Sequence, residues 1–167
     1  MLLPVKMNKA NLSIFLLFGL PLIAQYIWLA TGTTGLSKDE MWGYSPELFR
    51  KISIGTIILS FIAGLYLFYY LTWRYCETDK YTWLAMVGLT ILIGASNFWV
   101  PSMRSKSKIG SILTLSIAAI GSLFVLSSVI MDCSPMDAQK IVGIVSATVL
   151  VFQTTIMDAI VWNIYNK

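Results

Sequence analysis

The sequence predicts an all-α integral membrane protein, a bundle of five transmembrane helices, and three observations lead to this prediction. Nineteen of the twenty charged residues fall in short hydrophilic blocks. Five long uncharged stretches separate these blocks, and only Asp158 interrupts the last of them. Roughly 18 or more apolar residues suffice to cross the hydrocarbon core of a bilayer. In addition, 57% of the residues are hydrophobic and 12% are charged, whereas soluble domains carry about a quarter charged residues.

The order of the spans follows from the uncharged stretches and from helix-start signals. The first stretch, after Lys6 and Lys9, is similar to a secretory signal peptide, but it continues beyond the usual length of such a core, so we expect a retained helix. Ser45-Pro46-Glu47 is typical of a helix start, with a cap, a proline at the first helical position and an acid in the first turn. The expected spans are about 12–30, 46–73, 81–100, 108–130 and 135–164.

Two of these boundaries depend on proline. The third span is expected to stop at Pro101, because proline disfavours a continuing helix. The fifth is expected to begin after Ser134 as N-cap, with Pro135 at the first helical position and Asp137 completing a capping box. The connectors are short, so the sequence predicts a single transmembrane domain over 1–167 without a soluble domain.

The fourth span has small residues on one face. Gly110, Thr114, Ala118 and Ser122 are spaced four apart, a pattern that lets a neighbouring helix approach closely. The second span offers a partner ladder of Thr56, Ser60 and Gly64. We expect these faces to form internal contacts of the bundle, which would make the fourth span the most buried. Self-association through the same faces is the alternative.

The residue types that are absent argue against an enzyme. The chain has no histidine, and no lysine lies within a span. It has no glycine-rich phosphate loop, no Cys-x-x-Cys motif and no close carboxylate pair inside a span. We therefore predict no catalytic residues, no cofactor and no metal. The basic residues lie at span ends, where they meet lipid headgroups, so the sequence gives no reason to expect a nucleic acid partner.

Asp158 is the exceptional residue, because a carboxyl group inside a span is costly to insert. Alternation of the spans predicts that polar groups of other helices reach the same half of the bilayer. The predicted intramembrane cluster comprises Asp158, Asn97, Gln25, Thr114 and Thr154. Arg50, Lys51 and Arg104 are placed at the adjacent rim and are long enough to reach towards it. One interpretation is a polar half-cavity that binds a cation, a proton or a polar headgroup; the other is a hydrogen-bonded cluster that locks helices together.

The two cysteines and the basic residues bear on orientation. Cys76 and Cys133 lie in the second and fourth loops, which share one side of the membrane in either orientation. A disulfide between them is expected if that side is external. Seven basic residues against five favour an external N-terminus and a cytosolic C-terminus under the positive-inside rule. Lys6 and Lys9, close to the first span, favour the opposite orientation.

The sequence thus predicts a non-enzymatic multi-pass membrane protein with a structural or assembly role in a membrane or membrane complex. Its expected partners are the lipid bilayer and either other membrane subunits or further copies of the chain. The alternative is a small transporter or channel that uses the polar half-cavity around Asp158 for a cation, a proton or a polar small molecule.

Overall fold

Five membrane-spanning helices make up the fold. The computed structural model describes residues 7–32, 45–76 and 81–165, and all regular secondary structure in these ranges is helical. The five helices that are long and apolar enough to cross a membrane are α1 (Lys9–Leu29), α2 (Glu47–Arg74), α3 (Thr82–Arg104), α4 (Lys108–Met131) and α5 (Ala138–Tyr165). The predicted five-span helical bundle is confirmed.

Helix α1 begins about one turn earlier than predicted because Asn8 caps it. The Asn8 side chain accepts the backbone N–H of Asn11 at 2.9 Å. Its own backbone N–H donates to the Thr72 carbonyl at 2.7 Å, and the Asn11 amide donates to the Leu71 carbonyl at 2.9 Å. Those two carbonyls belong to a π-helical turn at the end of α2. The start of α1 is therefore fastened to the end of α2.

Two helix starts differ from the prediction in the residue that caps them. At α2 Pro46 has an extended backbone and precedes the helix, which therefore starts at Glu47, one residue later than expected. At α5 the prediction that Ser134 is the cap is wrong: Asp137 caps the helix and accepts the backbone N–H of Lys140 at 2.9 Å. The Arg74 guanidinium pairs with the same carboxylate at 2.9 Å and holds it in place. The Ser134 hydroxyl instead donates to the Arg74 carbonyl at 3.1 Å.

The prediction that α3 stops at Pro101 is also wrong, because the helix continues to Arg104. Proline cannot donate to the carbonyl four residues earlier, which belongs to Asn97. The Gln25 side chain of α1 supplies the missing donor, with its Nε2 atom 2.9 Å from the Asn97 carbonyl oxygen. A side chain of a neighbouring helix thus satisfies the group that proline leaves free, and the helix can continue.

Helices α3 and α4 approach each other closely at Gly88 and Gly121. A Cβ on Gly121 would clash with the Leu92 nitrogen and would lie 2.8 Å from the Leu92 Cα. A Cβ on Gly88 would lie 2.8 Å from the Val125 nitrogen. Side chains larger than hydrogen are excluded at both positions, and the two backbones touch.

The small-residue face of α4 lies inside the bundle. Ala118 and Ser122 are buried, and α4 has the largest buried share of the five spans. The predicted partner ladder on α2 is wrong, because α4 packs mainly on α3 and α5, whereas α2 packs mainly on α5. The glycine contact with α3 occupies the face that was assigned to α2. Gly64 of α2 consequently has open space where a Cβ would be.

Candidate functional site

Asp158 lies in an unusual stretch of helix. Residues Phe152–Trp162 of α5 are π-helical, a conformation that aligns residues five apart and that is frequent at functional sites. The Gln153 amide therefore donates to the Asp158 carboxyl oxygen Oδ1 at 2.7 Å, and this pair is separated by five residues. Among the described residues, Gln153 is the hydrogen-bond partner of Asp158, so the donor comes from the same helix.

The other residues of the predicted cluster lie in separate groups. The Gln25 amide donates to the Asn97 side-chain oxygen at 3.1 Å and joins α1 to α3. The Thr154 hydroxyl lies 2.8 Å from the Ser122 hydroxyl and joins α5 to α4. The Thr114 hydroxyl donates to a backbone carbonyl of its own helix. Asp158 and Thr154 border one cavity, whereas Gln25, Asn97 and Thr114 do not.

The three basic residues that were expected to reach towards Asp158 contact other groups. The Arg104 guanidinium lies 4.7 Å from the ring centre of Trp28. The Lys51 ammonium pairs with Glu47 at 2.8 Å, and both side chains are exposed. The Arg50 side chain donates to the Ser45 carbonyl at 2.8 Å. All three basic residues thus make their contacts at helix ends, at the start of α2 or the end of α3.

A cavity of about 300 Å³ lies between α1, α2, α3 and α5 and reaches Asp158. We call it the intramembrane cavity. Most of its walls are aliphatic and aromatic side chains, and its polar members are Tyr26, Ser60, Ser96, Gln153, Thr154 and Asp158. Ser60, Ser96 and Tyr26 lie outside the cluster predicted from the sequence. Span alternation gives the depth of a residue but not the rotation of its helix, so it did not identify them.

A second polar site, the rim cluster, joins the second and fourth loops. Cys76 and Cys133 form a disulfide with their Cα atoms 5.8 Å apart. Asp132 is buried, with 4% of its surface exposed. Its carboxylate accepts the Tyr70 hydroxyl at 2.6 Å and the backbone N–H groups of Cys76 and Ser134 at 3.1 and 3.3 Å. These contacts hold the end of α2 against the fourth loop.

Lys140 and Tyr70 extend the rim cluster into α5. The Lys140 ammonium is buried and donates to the backbone carbonyls of Asp132 and Ser134. The Tyr70 ring packs against Gly143, where a Cβ would lie 3.4 Å from the ring carbons. Both residues therefore tie the start of α5 to the loop that precedes it.

The rim cluster has one arrangement typical of a metal site, because Asp132 and the two cysteine sulfurs lie close together. Metal binding by cysteine requires the thiolate. Since the two sulfurs are bonded to each other, they offer no thiolate, and the backbone and tyrosine donors already occupy the carboxylate. The arrangement fits a covalent and hydrogen-bonded clamp.

The cap of α5 makes the stability of this region depend on pH. The pKa of the Asp137 carboxyl is lowered, first because it accepts the Lys140 backbone N–H and further because of the Arg74 charge. A carboxyl with a lowered pKa stabilises the folded chain above its unfolded pKa of about 3.9, and this contribution is lost as the pH falls from there through the folded value. We expect the melting temperature in detergent to fall over that acidic range.

The matched control for this prediction is Asp137→Asn. Asparagine keeps the capping oxygen but does not titrate, so the acid-induced loss should be smaller in this variant. Melting curves recorded between neutral and acidic pH would check the difference. Parallel curves for the two proteins would contradict a role for the Asp137 carboxyl.

The chain matches no protein-family model, no curated protein and no solved structure in our comparisons. Its geometry offers two polar regions with different chemistry. The intramembrane cavity combines apolar walls with hydrogen-bond acceptors at one end, and the rim cluster ties loops together. The five apolar helices are consistent with a multi-pass membrane protein.

Proposed function

We propose that the chain is a non-enzymatic multi-pass membrane protein with a structural or assembly role in a membrane or membrane complex. The observation that carries the proposal is the pairing of polar side chains between helices. Gln25 binds Asn97 across α1 and α3, and Ser122 binds Thr154 across α4 and α5. Such contacts contribute about 1 kcal/mol or less each, and they orient helices without creating a path for solutes.

A carrier or channel is the second candidate, because Asp158 borders a cavity. A route for ions or protons needs polar groups at successive depths. The walls of the intramembrane cavity are predominantly apolar, and among the described residues that line it Asp158 alone has an acidic or basic side chain. This distribution favours the structural role over conduction.

The proposed orientation has the N-terminus outside and the C-terminus in the cytosol. The disulfide supports it, because disulfides persist in oxidising compartments and are rare in the cytosol. The excess of basic residues on the side of the first and third loops supports the same orientation. The basic residues on that side include Arg50, Lys51, Arg104, Lys106 and Lys108.

The experiment that tests the role combines purification with transport. We expect the tagged protein, purified in mild detergent, to bring down a membrane partner in fixed stoichiometry by mass spectrometry. We expect the pure protein in liposomes to carry no proton or cation flux that differs between the original chain and Asp158→Asn. A flux that Asp158→Asn abolishes would replace the assembly role with a carrier function.

The orientation makes a separate prediction. Reporter fusions at the two ends should report opposite compartments, because five spans place the termini on opposite faces. In intact cells, Cys76 and Cys133 should react with a membrane-impermeant maleimide only after reduction. Free labelling of both thiols without reductant would contradict the disulfide, whereas no labelling even after reduction would contradict the proposed orientation.

A further inference from the structure

The intramembrane cavity has the dimensions of a single extended chain. On α1 its lining runs from Phe15 to Tyr26, and on α2 it runs from Ile57 to Phe68. Eleven residues of helix rise about 16 Å, so the cavity is long and narrow along the bundle. Its walls include apolar side chains of four helices, among them Leu22, Leu67, Leu92 and Leu150.

The cavity opens sideways between α1 and α2. Leu16 and Leu20 of α1, and Phe61 and Leu65 of α2, border the cavity and are also about half exposed on the outer surface. In a membrane these side chains face lipid tails, because the surface at this depth meets hydrocarbon. A molecule dissolved in the bilayer therefore reaches the cavity without crossing water.

The cavity lining includes buried polar atoms that have no hydrogen-bond partner among the described residues. Gln153 and Ser60 are 5% and 8% exposed. The Gln153 amide nitrogen is bound to Asp158, whereas the Gln153 oxygen Oε1 and the Ser60 hydroxyl have no hydrogen-bond partner among the described residues. Asp158 lines the same cavity. We call these three side chains the acceptor group.

The acceptor group selects the chemistry of a ligand. Buried polar atoms are normally paired; the unpaired Gln153 oxygen requires a donor, and the Ser60 hydroxyl can accept a hydrogen bond as well as donate one. A primary amine offers several N–H donors and, as an ammonium, the charge that complements a carboxylate. An alcohol offers one donor and no charge, and a carboxylate or an ionised phosphate places acceptors and negative charge against acceptors.

We propose that the intramembrane cavity binds a single-chain lipid with an amine headgroup. The amine nitrogen binds Asp158, with Gln153 and Ser60 as further acceptors, and the alkyl chain lies along the cavity between α1 and α2. Asp158 lies seven residues before Tyr165, the end of α5, a depth of about 10 Å at the helical rise. The headgroup therefore lies within one leaflet, below the surface that the C-terminus faces.

The binding test uses n-decylamine, n-decanol and decanoate as probes on the full chain in phosphatidylcholine nanodiscs, with empty nanodiscs as the reference. We expect saturable binding of n-decylamine at one site per chain in titration calorimetry. Binding of n-decanol should be at least about tenfold weaker, because a charge-assisted hydrogen bond contributes roughly that factor. Decanoate should show no saturable binding.

Two variants separate the amine contact from the cavity itself. Asp158→Asn should weaken n-decylamine binding by about tenfold or more, while leaving n-decanol binding little changed. Gly64→Leu places a side chain into the cavity, where a Cβ meets nothing within 4 Å, and should block the binding of both n-decylamine and n-decanol. The matched control is Gly55→Leu on the same helix, which has equally open surroundings but does not border the cavity, and it should bind as the original chain does.

Two results would overturn the proposal. Equal saturable binding of n-decylamine, n-decanol and decanoate would show that the cavity takes any apolar chain regardless of its headgroup. Binding of n-decylamine that survives Gly64→Leu would place the amine elsewhere on the protein. The second result remains decisive even if Asp158→Asn fails to fold, because Gly64→Leu retains the whole acceptor group.

Discussion

Replacing Gly121 by alanine is expected to destabilise the bundle by about 1–3 kcal/mol. The added Cβ would clash with the Leu92 nitrogen and lie 2.9 Å from the Gly88 carbonyl oxygen. Both are backbone atoms, which cannot move aside as a flexible side chain can. The helices α3 and α4 would have to separate, and the contacts around Gly88 and Val125 would be lost with them.

The matched control is Gly55→Ala in α2, where a Cβ meets nothing within 4 Å. There the substitution should stabilise the helix by up to about 1 kcal/mol, because glycine is the poorer helix former. Thermal melting in detergent should therefore shift in opposite directions for the two variants. A melting temperature for Gly121→Ala at or above that of the original chain would contradict the close contact of α3 with α4.

The spans could be predicted because charge and length decide them. Each uncharged stretch must satisfy its own backbone in lipid, and a helix is the means available to a single segment. The helix boundaries were harder to predict from the sequence, because they depend on contacts between segments. Helix α3 passes Pro101, and Gln25 of another helix binds the Asn97 carbonyl that proline leaves without a backbone donor. Nothing in the sequence near Pro101 contains that information.

In the candidate site, too, some features are visible in the sequence and others depend on contacts between helices. Asp158 stands out because a charge within an apolar stretch is visible in the sequence. Its partner Gln153 is five residues away, and only a π-helical segment brings the two side chains together. Ser60 belongs to the site through the rotation of α2, and a single helix does not specify its rotation against three neighbours. The acceptor group is therefore a tertiary feature.

The glycine contact is a further example. Small residues spaced four apart predicted a close approach of α4, and α4 is the most buried span. The backbone contact is nevertheless at Gly121, one residue away from the predicted Ser122, because Gly88 of α3 lies opposite. The position of such a contact depends on both helices, and the spacing on one of them gives only the face.

Replacing Asp132 by alanine is expected to destabilise the bundle by about 1–3 kcal/mol or more, because the buried Tyr70 hydroxyl would lose its acceptor and two partly buried backbone N–H groups would lose theirs. Three donors depend on this carboxylate: the Tyr70 hydroxyl and the backbone N–H groups of Cys76 and Ser134. They come from the end of α2, the second loop and the fourth loop. Alanine would remove the acceptor of all three, and the disulfide and the contacts of Arg74 with Ser134 and Asp137 would remain to hold this region together.

Two further variants make this expectation specific. Asp132→Asn should recover most of the stability, because both backbone N–H groups bind the same oxygen, Oδ1, and the new amide can donate to the Tyr70 hydroxyl. Asp137→Ala removes a more exposed carboxylate from the same region and should cost less. Melting in detergent under oxidising conditions, which keep Cys76 bonded to Cys133, measures the difference. Equal losses for Asp132→Ala and Asp137→Ala would mean that the buried carboxylate does not organise the rim cluster.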